Sequence, residues 1–451
     1  MTIKMPEGVK QIIETLNKNG YEAFAVGGCI RDSVMGRNPH DWDITTSAKP
    51  HEVKKLFRRS VDTGIEHGTV TILLPDGAYE VTTYRIDGEY IDFRHPKEVI
   101  YASDLKEDLL RRDFTVNAIA YNDSDGVVDP YDGIGDIERK IIRCVGNATD
   151  RFMEDALRIL RAIRFSAQLG FSIEDSTAEA IKKLAPLLSN ISAERICAEL
   201  IKTIASDSPE TLLTAYEAGV TRVILPEFDA MMNTPQNTKH HFGSVGIHTI
   251  RTMQSIPADK TLRLTMLMHD IGKPQCHNRD EKGIDHFKMH AVASVHLAGD
   301  IMKRLKLDNK TIRIVSKLIR YHDWHLDPNE ENVRRLVNGL GKELMEPFFL
   351  VQRADLAGQS DYRKEEKLDR IVRTEKLYKR ICERGDCTNL KELAVSGMDL
   401  LEAGLPKGPA VGEALNAALN EVLKDHTLNN KEYLVGFIRE HADAFLQAKK
   451  M

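Results

Sequence analysis

The stretch AVGGCIRDSVMGRNPHDWDITTSA, residues 25–48, determines how the N-terminal part of the chain folds. It predicts a short buried strand that ends in a glycine turn, then a helix, and then a second strand at HDWDIT. Gly27 and Gly28 lack side chains, so the backbone amides of the turn can approach a phosphate closely. Arg31 follows at the start of the helix, where it can reach a triphosphate.

Two aspartates follow this turn at a spacing of two residues. Because side chains alternate along a strand, Asp41 and Asp43 are expected on one face. Convergent carboxylates suit the two Mg²⁺ ions of phosphoryl transfer, which activate the attacking hydroxyl and neutralise the leaving pyrophosphate. Glu80, on the predicted strand YEVTTYR, is the candidate third carboxylate. An Asp-x-Asp alone is a common surface pattern, but the order strand, Gly-Gly, Arg-Asp and Asp-x-Asp is much more specific.

The composition sets limits on the class of protein. The chain has 451 residues, of which 42% are hydrophobic and 29% charged, as in ordinary globular proteins. Its formal net charge of −5 means that a nucleic-acid site must be a local basic patch. The six cysteines form no CxxC pair, and neither a signal peptide nor a membrane span is evident. We therefore expect a cytoplasmic protein without a membrane partner.

Two further motifs carry a family resemblance. Together with the N-terminal stretch, LLRRDFTVNAIAY (109–121) and EDALRILRAIRF (154–165) resemble the bacterial class II tRNA nucleotidyltransferases and poly(A) polymerases. The resemblance implies a polymerase-β-type head, and it implies that Asp113 lies near the ribose of an incoming nucleotide. It also implies a set of nucleotide-binding residues, namely Gly28, Arg31, Arg112, Asn117, Asp155, Arg158, Arg161 and Arg164.

The second of these motifs predicts how a base is chosen. Residues 150–171 predict one amphipathic helix that ends at Gly170. Asp155 and the three arginines that follow it recur every three residues and would form a stripe on that helix. Asp155 would accept a hydrogen bond from the exocyclic amino group of cytosine or adenine, and Arg158 would donate to the ring nitrogen. Uracil and guanine would be refused. The alternative is a salt-bridged surface helix, the commoner fate of this spacing.

The middle of the chain contains a second group of chemically active residues. The order His248, His269–Asp270, His290 and His322–Asp323 on successive predicted helices resembles the HD phosphohydrolase superfamily. Imidazoles with carboxylates suit a divalent metal of unknown identity, and the expected ligands are His248, His269, Asp270 and Asp323. Phosphomonoester or cyclic-phosphate hydrolysis at RNA ends would be the natural chemistry. Such a domain can also persist as a structural part of an RNA-binding body.

The predicted fold class is α+β, with a small mixed-sheet head followed by a long all-α body. Near the C-terminus, glycines 404, 408 and 412 with two prolines predict a tight turn between helices, where Lys407 could hold an RNA phosphate. A plain helical hairpin is an equally good interpretation. The predicted domains are the head at 1–138, a nucleotide-base and RNA-binding neck at 139–235, an HD-type metal-binding domain at 236–345 and an RNA-binding tail at 346–451.

The resemblance implies an enzyme that adds C, C and A to tRNA 3′ ends from CTP and ATP, with no DNA partner expected. A poly(A) polymerase, or an enzyme that adds only A or only CC, shares the same head motifs. The segment between Ile86 and Ala102 is predicted to be a loop on which this choice could depend. A hydrolase with a degenerate head is disfavoured because Asp41 and Asp43 are both present. A purely structural RNA-binding protein is disfavoured by both carboxylate clusters.

Overall fold

The computed structural model describes residues 1–64, 68–87, 99–102, 104–241, 243–442 and 445. The chain divides into two compact units, one formed by residues 1–230 with 304–307 and the other by residues 231–303 with 308–451. The α+β class is confirmed, with a mixed sheet at the N-terminus and helices over the rest of the chain. Among the described residues, no helix combines the length and the apolar character needed to cross a membrane.

The first half of unit one is built around a mixed sheet. Its strands are β1 Ala23–Val26, β2 Asp43–Thr46, β3 Ser60–Gly64, β4 Thr69–Leu74, β5 Gly77–Thr83, β8 Ala120–Asn122 and β9 Gly126–Val128. The short strands β6 Arg85–Asp87 and β7 Val99–Tyr101 form a separate antiparallel pair. The helices of this half are α1 Glu7–Lys18, α2 Gly28–Val34, α3 Pro50–Leu56, α4 Leu105–Leu110 and α5 Gly133–Arg139.

The order of the strands places the predicted site at the centre of the sheet, on β2 and its neighbour β5. Among the described residues, seven strands pair in the order β3-β4-β5-β2-β1-β8-β9. β1 is antiparallel to β2, while β2 is parallel to β5, and this register pairs Asp43 with Glu80. All four residues of β1 are buried, as the apolar run predicted. The segment 86–102 that could decide the subtype lies largely outside the described residues.

The turn between β4 and β5 is fixed by the N-terminal helix. Asp76, in the two-residue turn, accepts hydrogen bonds from the Gly8 amide and the Tyr79 hydroxyl, each at 3.0 Å. A Cβ at Gly8 would come within 2.6 Å of the Tyr79 ring, so only glycine allows this close approach. The apolar face of α1 is buried, as its periodicity predicted.

The second half of unit one is helical. It comprises α6 Ala148–Glu154, α7 Leu157–Leu169, α8 Asp175–Leu184, α9 Ala193–Ile204, α10 Thr211–Glu217, α11 Thr221–Ile224 and α12 Pro226–Met232, with a small parallel pair formed by β10 Ile141–Ile142 and β11 Ser172–Ile173. α7 packs against α9 and α10. The predicted glycine stop is confirmed, because Gly170 ends α7 in the left-handed conformation, with φ 70°.

Unit two is a helical array. It comprises α13 Val245–Gln254, α14 Lys260–Met268, α15 Lys273–Cys276, α16 His290–Arg304, α17 Asn309–Tyr321, α18 Glu330–Leu340, α19 Met345–Gly358, α20 Lys364–Arg384, α21 Gly397–Glu402, α22 Pro409–Lys424 and α23 Lys431–Glu440, with an antiparallel pair formed by β12 Asn278–Arg279 and β13 Asp285–His286. α19 packs on α13, α14 and α17, across the predicted domain boundary at 345.

The C-terminal part of unit two has an apolar core of its own. Buried Leu400, Leu419 and Leu434 bring α21, α22 and α23 together. Gly404 and Gly408 adopt positive φ in the connection between α21 and α22, where the turn was predicted, whereas Gly412 lies within α22. The role of Lys407 in holding an RNA phosphate stays a prediction.

Candidate functional site

The predicted carboxylates converge at the start of β2. The strand begins at Asp43, so Asp41 lies just before it rather than within it. Asp41 and Asp43 are exposed while the intervening Trp42 is buried, which gives the expected alternation. Although Asp43 is in contact with solvent, desolvation by the surrounding protein raises the pKa of Asp43, Arg112 opposes this shift, and the Asp41 carboxylate adds to it. Glu80 lies opposite Asp43 on the neighbouring strand β5. The three carboxylates together concentrate negative charge, which favours binding of a divalent cation.

The glycine turn packs against basic side chains. Gly27 has φ 84° and leads into α2, and a Cβ there would lie 3.2 Å from the Arg112 guanidinium. Arg31 is buried, and its Nη1 donates to Asn117 Oδ1 at 2.6 Å while Nη2 pairs with Asp32 at 2.8 Å. The turn therefore brings a fixed arginine close to the residues of the RRDxxxNA motif.

Asp113 is the buried centre of that motif. It accepts hydrogen bonds from Arg161 Nε at 2.7 Å and from Asn117 Nδ2 at 3.0 Å. Burial alone would raise its pKa, but Arg161 and Asn117 outweigh this effect and lower the pKa to about 2. The ionised carboxylate consequently links α7 to the head. Its predicted proximity to a ribose stays a prediction.

The prediction of one continuous helix over 150–171 is wrong. The helix breaks between α6 and α7 at Asp155, which has the extended conformation φ −141°, ψ 104°. Its Oδ1 accepts from the Leu157 amide at 3.0 Å, and its Oδ2 accepts from Arg195 Nη2 at 2.7 Å. Aspartate competes for backbone amides in this way and so favours the start of a helix. Asp155 therefore precedes the helical stripe instead of belonging to it.

The three arginines of the stripe have different surroundings. Arg158 donates to Glu154 Oε2 at 2.5 Å and to the carbonyl oxygen of Arg111 at 3.0 Å. Arg161 pairs with buried Asp113, as described above. Arg164 instead pairs with Glu199 at 2.7 Å, and its guanidinium lies 4.0 Å above the ring of Phe165.

Arg158 and Arg161 line a cavity of about 450 Å³ together with residues of the glycine turn and the RRDxxxNA motif. Six arginines face three aspartates across it, so the cavity suits a polyanion such as a nucleoside triphosphate. Asp41, Glu80 and Arg164 are not among its lining residues. Arg195 and Phe165 also line it, and neither residue was predicted from the sequence. The walls are formed by Gly27, Gly28, Arg31, Asp43, Arg111, Arg112, Asp113, Asn117, Asp155, Leu157, Arg158, Arg161, Phe165 and Arg195.

The histidine-aspartate cluster lies within unit two. His248 on α13 and His269 at the end of α14 are fully buried, and their Nε2 atoms lie 3.2 Å apart. Asp270 Oδ2 lies 3.5 Å from the first of these atoms and 3.3 Å from the second. Burial favours the neutral imidazole, yet Asp270 and Asp355 outweigh it and raise the pKa of His269 to about 10. Such a carboxylate-rich pocket equally favours a metal cation.

Asp355, rather than Asp323, completes this set. Asp355 Oδ1 lies 3.0 Å from His248 Nε2 and 3.6 Å from His269 Nε2. Asp323 contacts His325, and its Oδ2 lies 3.9 Å from His290 Nε2. The signal for Asp355 was a lone carboxylate within the apolar stretch of α19.

The cluster lies at the wall of a cavity of about 580 Å³. Asp270, His290, His322 and Asp355 line it. Five lysine or arginine side chains line the same cavity, namely Lys273, Lys288, Arg363, Lys367 and Arg370. Basic groups beside such a histidine-aspartate cluster suit a phosphorylated ligand.

Three family models match successive parts of the chain. A family model described as a poly A polymerase head domain matches residues 23–143. The model "Probable RNA and SrmB- binding site of polymerase A" matches residues 170–232. A model for tRNA nucleotidyltransferase domain 2 matches residues 286–438.

Individual relatives extend the match over nearly the whole chain. The CCA-adding enzyme of Enterococcus faecalis is 34% identical over 95% of this chain and 94% of its own length. That of Lactiplantibacillus plantarum is 52% identical, but the match spans 46% of this chain and only about half, 51%, of that relative. A crystal structure of the Bacillus stearothermophilus CCA-adding enzyme in complex with CTP superposes with a TM-score of 0.72 and 29% identity, covering 99% of this chain and 100% of the other.

Proposed function

The chain belongs to the family of CCA-adding enzymes, and on that premise we propose that it adds C, C and A to the 3′ end of tRNA from CTP and ATP. The observation that carries the proposal is the arginine-rich cavity described above. It joins Asp43, where the chemistry would occur, to Asp155 and Arg158, where a base would be read. One cavity thus brings together the two functions that an untemplated polymerase needs, namely nucleotidyl transfer and selection of the base.

Asp41 and Asp43 are proposed to hold Mg²⁺, with Glu80 on the neighbouring strand as the third carboxylate. The fit rests on geometry, because Asp41 and Asp43 flank the buried Trp42 and Glu80 is the register partner of Asp43 on β5. Desolvation and Asp41 also raise the pKa of Asp43, so a cation would stabilise its charge. Two Mg²⁺ ions there would lower the pKa of the tRNA hydroxyl and neutralise the pyrophosphate.

The arginines are proposed to bind and orient the triphosphate. Arg31 and Arg112 lie beside the glycine turn and face the carboxylates, so they can hold the phosphates next to Asp43. In the transfer step, the tRNA 3′ oxygen bonds to the α-phosphorus and loses its proton to solvent. The bond from the α-phosphorus to the bridging oxygen of the β-phosphate breaks, and pyrophosphate leaves with that bond's electrons.

Base choice is proposed to depend on Asp155 and Arg158. Arg195 fixes the carboxylate of Asp155, and Glu154 together with the Arg111 carbonyl fixes the guanidinium of Arg158. Each carboxylate oxygen has a second lone pair, so Asp155 can still accept from an exocyclic amino group. Both side chains are thus held in place before the base arrives. A base with the wrong edge would leave them without hydrogen-bond partners, and this cost discriminates against it.

The test uses tRNA that ends before its CCA, supplied with CTP alone, ATP alone, or both. We expect two added residues with CTP, none with ATP, and three with both nucleotides. Addition of A alone, of CC alone with both nucleotides present, or of a long A tail would identify a different transferase. Asp43→Asn should abolish every product, whereas exposed Arg37→Ala should add the same residues as the parent.

A second activity is proposed for unit two, namely metal-dependent hydrolysis of phosphate esters at RNA ends. The specific observation is that His248, His269, Asp270 and Asp355 adjoin a cavity with basic walls. Water would bond to phosphorus, the ester P–O bond would break, and the alcohol would leave with a proton. RNA ending in a 3′-phosphate or a 2′,3′-cyclic phosphate is the test substrate, with Mn²⁺ or Ni²⁺. His269→Ala should lose hydrolysis, while Asp43→Asn should retain it.

A further inference from the structure

The exposed face of α17 in unit two carries a row of basic side chains. The helix presents Lys310, Arg313, Lys317 and Arg320, at steps of three and four residues. Such steps place side chains on one face of a helix, because about 3.6 residues complete a turn. Lys317 is partly buried and the other three are exposed. At a rise of about 1.5 Å per residue, the row is a line of four positive charges about 15 Å long.

This basic row points away from the core. Thr311, Val315, Leu318 and Ile319 form the buried face of α17, and the helix packs on α14, α18 and α19. Because successive residues turn by about 100° around a helix, the basic row lies opposite this buried face. The packing on three helices therefore holds the four charges in a fixed arrangement.

The helix contains no aspartate or glutamate to offset these charges. Among the described residues no carboxylate forms an ion pair with any of the four, and Lys317 Nζ donates to the Leu340 carbonyl at 3.0 Å. The longer helix α20 differs, since acidic residues alternate with its basic ones, as in the pair of Lys379 with Glu375 at 3.3 Å. Like charges at such spacings repel and destabilise a helix, and an anionic surface laid over the row would remove that repulsion.

The chemistry of the row indicates which anion it fits. Single-stranded RNA is held by aromatic side chains on which its bases stack, together with a basic groove. Tyr321 is the one aromatic residue of α17, and it packs against the core that contains Leu318 and Phe348. A line of cations without stacking groups instead suits the phosphates along one strand of an RNA duplex. Since the whole chain has a net charge of −5, such a local row is where a polyanion is attracted.

We propose that this face of α17, defined by Lys310, Arg313, Lys317 and Arg320, binds the phosphate backbone of a double-helical part of the tRNA. The inference rests on the proposed function, in which tRNA is the substrate, and it assigns to unit two a contact with the duplex of that substrate. The contact contributes affinity and holds the tRNA while nucleotides are added. Because phosphates carry no sequence information, it suits substrates that differ in sequence.

The salt dependence of RNA binding tests the proposal. The full-length chain with Arg313→Gln and Arg320→Gln is compared with the parent for binding to tRNA that ends before its CCA, by fluorescence anisotropy without nucleotides. Each neutralised phosphate contributes about 0.7–0.9 to the slope of log Kd against log salt concentration, so the slope should fall by about 1.4–1.8. In nucleotide addition, KM for tRNA should rise, while kcat and KM for CTP should stay those of the parent.

Two control variants and a second RNA separate this contact from a general effect of charge. Arg313→Lys with Arg320→Lys keeps both charges and should keep the salt slope. Lys18→Gln with Lys55→Gln removes two exposed charges from α1 and α3 and should also keep it. A single-stranded RNA with the same 3′ sequence should bind equally to the parent and to the variant with glutamine at both arginine positions.

An unchanged salt slope with an unchanged KM for tRNA in the folded glutamine variant would overturn the contact and leave the proposed function standing. Equal weakening of tRNA and single-stranded RNA would overturn the assignment to a duplex. If the parent adds no nucleotide, the proposed function fails, and the salt slope still decides whether the contact exists because binding is measured without nucleotides.

Discussion

Replacing Asp155 by asparagine should change which bases are added, because this substitution keeps the shape and alters the hydrogen bonding. Asparagine Oδ1 can still accept from the Leu157 amide, as aspartate does at 3.0 Å. The amide nitrogen then faces Arg195 and the incoming base with donors, where the carboxylate accepted. A hydrogen bond to a charged group contributes roughly 1.5–3 kcal/mol, so kcat/KM for CTP should fall roughly 10- to 150-fold. UTP offers a carbonyl at the same position, so its kcat/KM should fall less or rise.

The assay measures kcat/KM for each of the four nucleoside triphosphates at matched concentrations on tRNA that ends before its CCA. The preference for CTP over UTP should drop by at least 10-fold in Asp155→Asn, while Arg37→Ala should preserve the parent's preference. Thermal unfolding of both variants separates base choice from the helix-capping role of Asp155. If Asp155→Asn slows CTP and UTP addition by the same factor, this carboxylate does not read the base. Its role would then be to begin α7.

Three further outcomes follow from the two units. Asp41→Ala or Asp43→Ala should abolish nucleotide addition without unfolding the chain, because loss of a proposed metal ligand removes several kcal/mol of transition-state stabilisation. Substantial residual transfer by either variant would exclude the proposed metal site. His269→Ala combined with Asp270→Ala should remove phosphoester hydrolysis and spare nucleotide addition, and loss of addition in a folded variant would make the cluster part of the transferase. The lowered pKa of Asp113 stabilises the fold above the pKa of the unfolded carboxyl, near 4, and this contribution disappears as the pH falls toward about 2. Asp113→Asn should therefore lower the free energy of unfolding by on the order of 2 kcal/mol at neutral pH and flatten its dependence between pH 4 and 2, as measured by denaturant titration; an unchanged acid slope would contradict the ion pair.

Local sequence patterns predicted those features that depend on neighbouring residues. The period-two spacing of Asp41 and Asp43 predicted two carboxylates on one face, and the alternation at 79–85 predicted that Glu80 lies on a strand. Glycine at 27 predicted a tight turn because the chain there needs a positive φ. These features follow from backbone geometry, which a short stretch of sequence largely specifies.

Features that depend on distant residues could not be predicted in the same way. Arg195 lies forty residues after Asp155, and nothing in its own segment indicates the pairing. Asp355 joins His248 across 107 residues because α19 packs on α13, a contact that no local periodicity encodes. The helix break at Asp155 did have a signal, an aspartate directly before an apolar run, but the three-residue repeat of charges suggested continuity.

The hydrogen bonds from Gly8 and Tyr79 to Asp76 fix the turn before β5 and so oppose a shift of this strand along its neighbours. A slip of β5 by one residue would turn Glu80 to the opposite face, away from Asp43, because side chains in a strand alternate. One of the hydrogen bonds that oppose this slip comes from Gly8 in the first turn of α1, some seventy residues earlier in the chain. The alignment of Glu80 with Asp43 therefore depends in part on α1, a helix that supplies none of the proposed catalytic residues, so substitutions within residues 7–18 could disturb the proposed site.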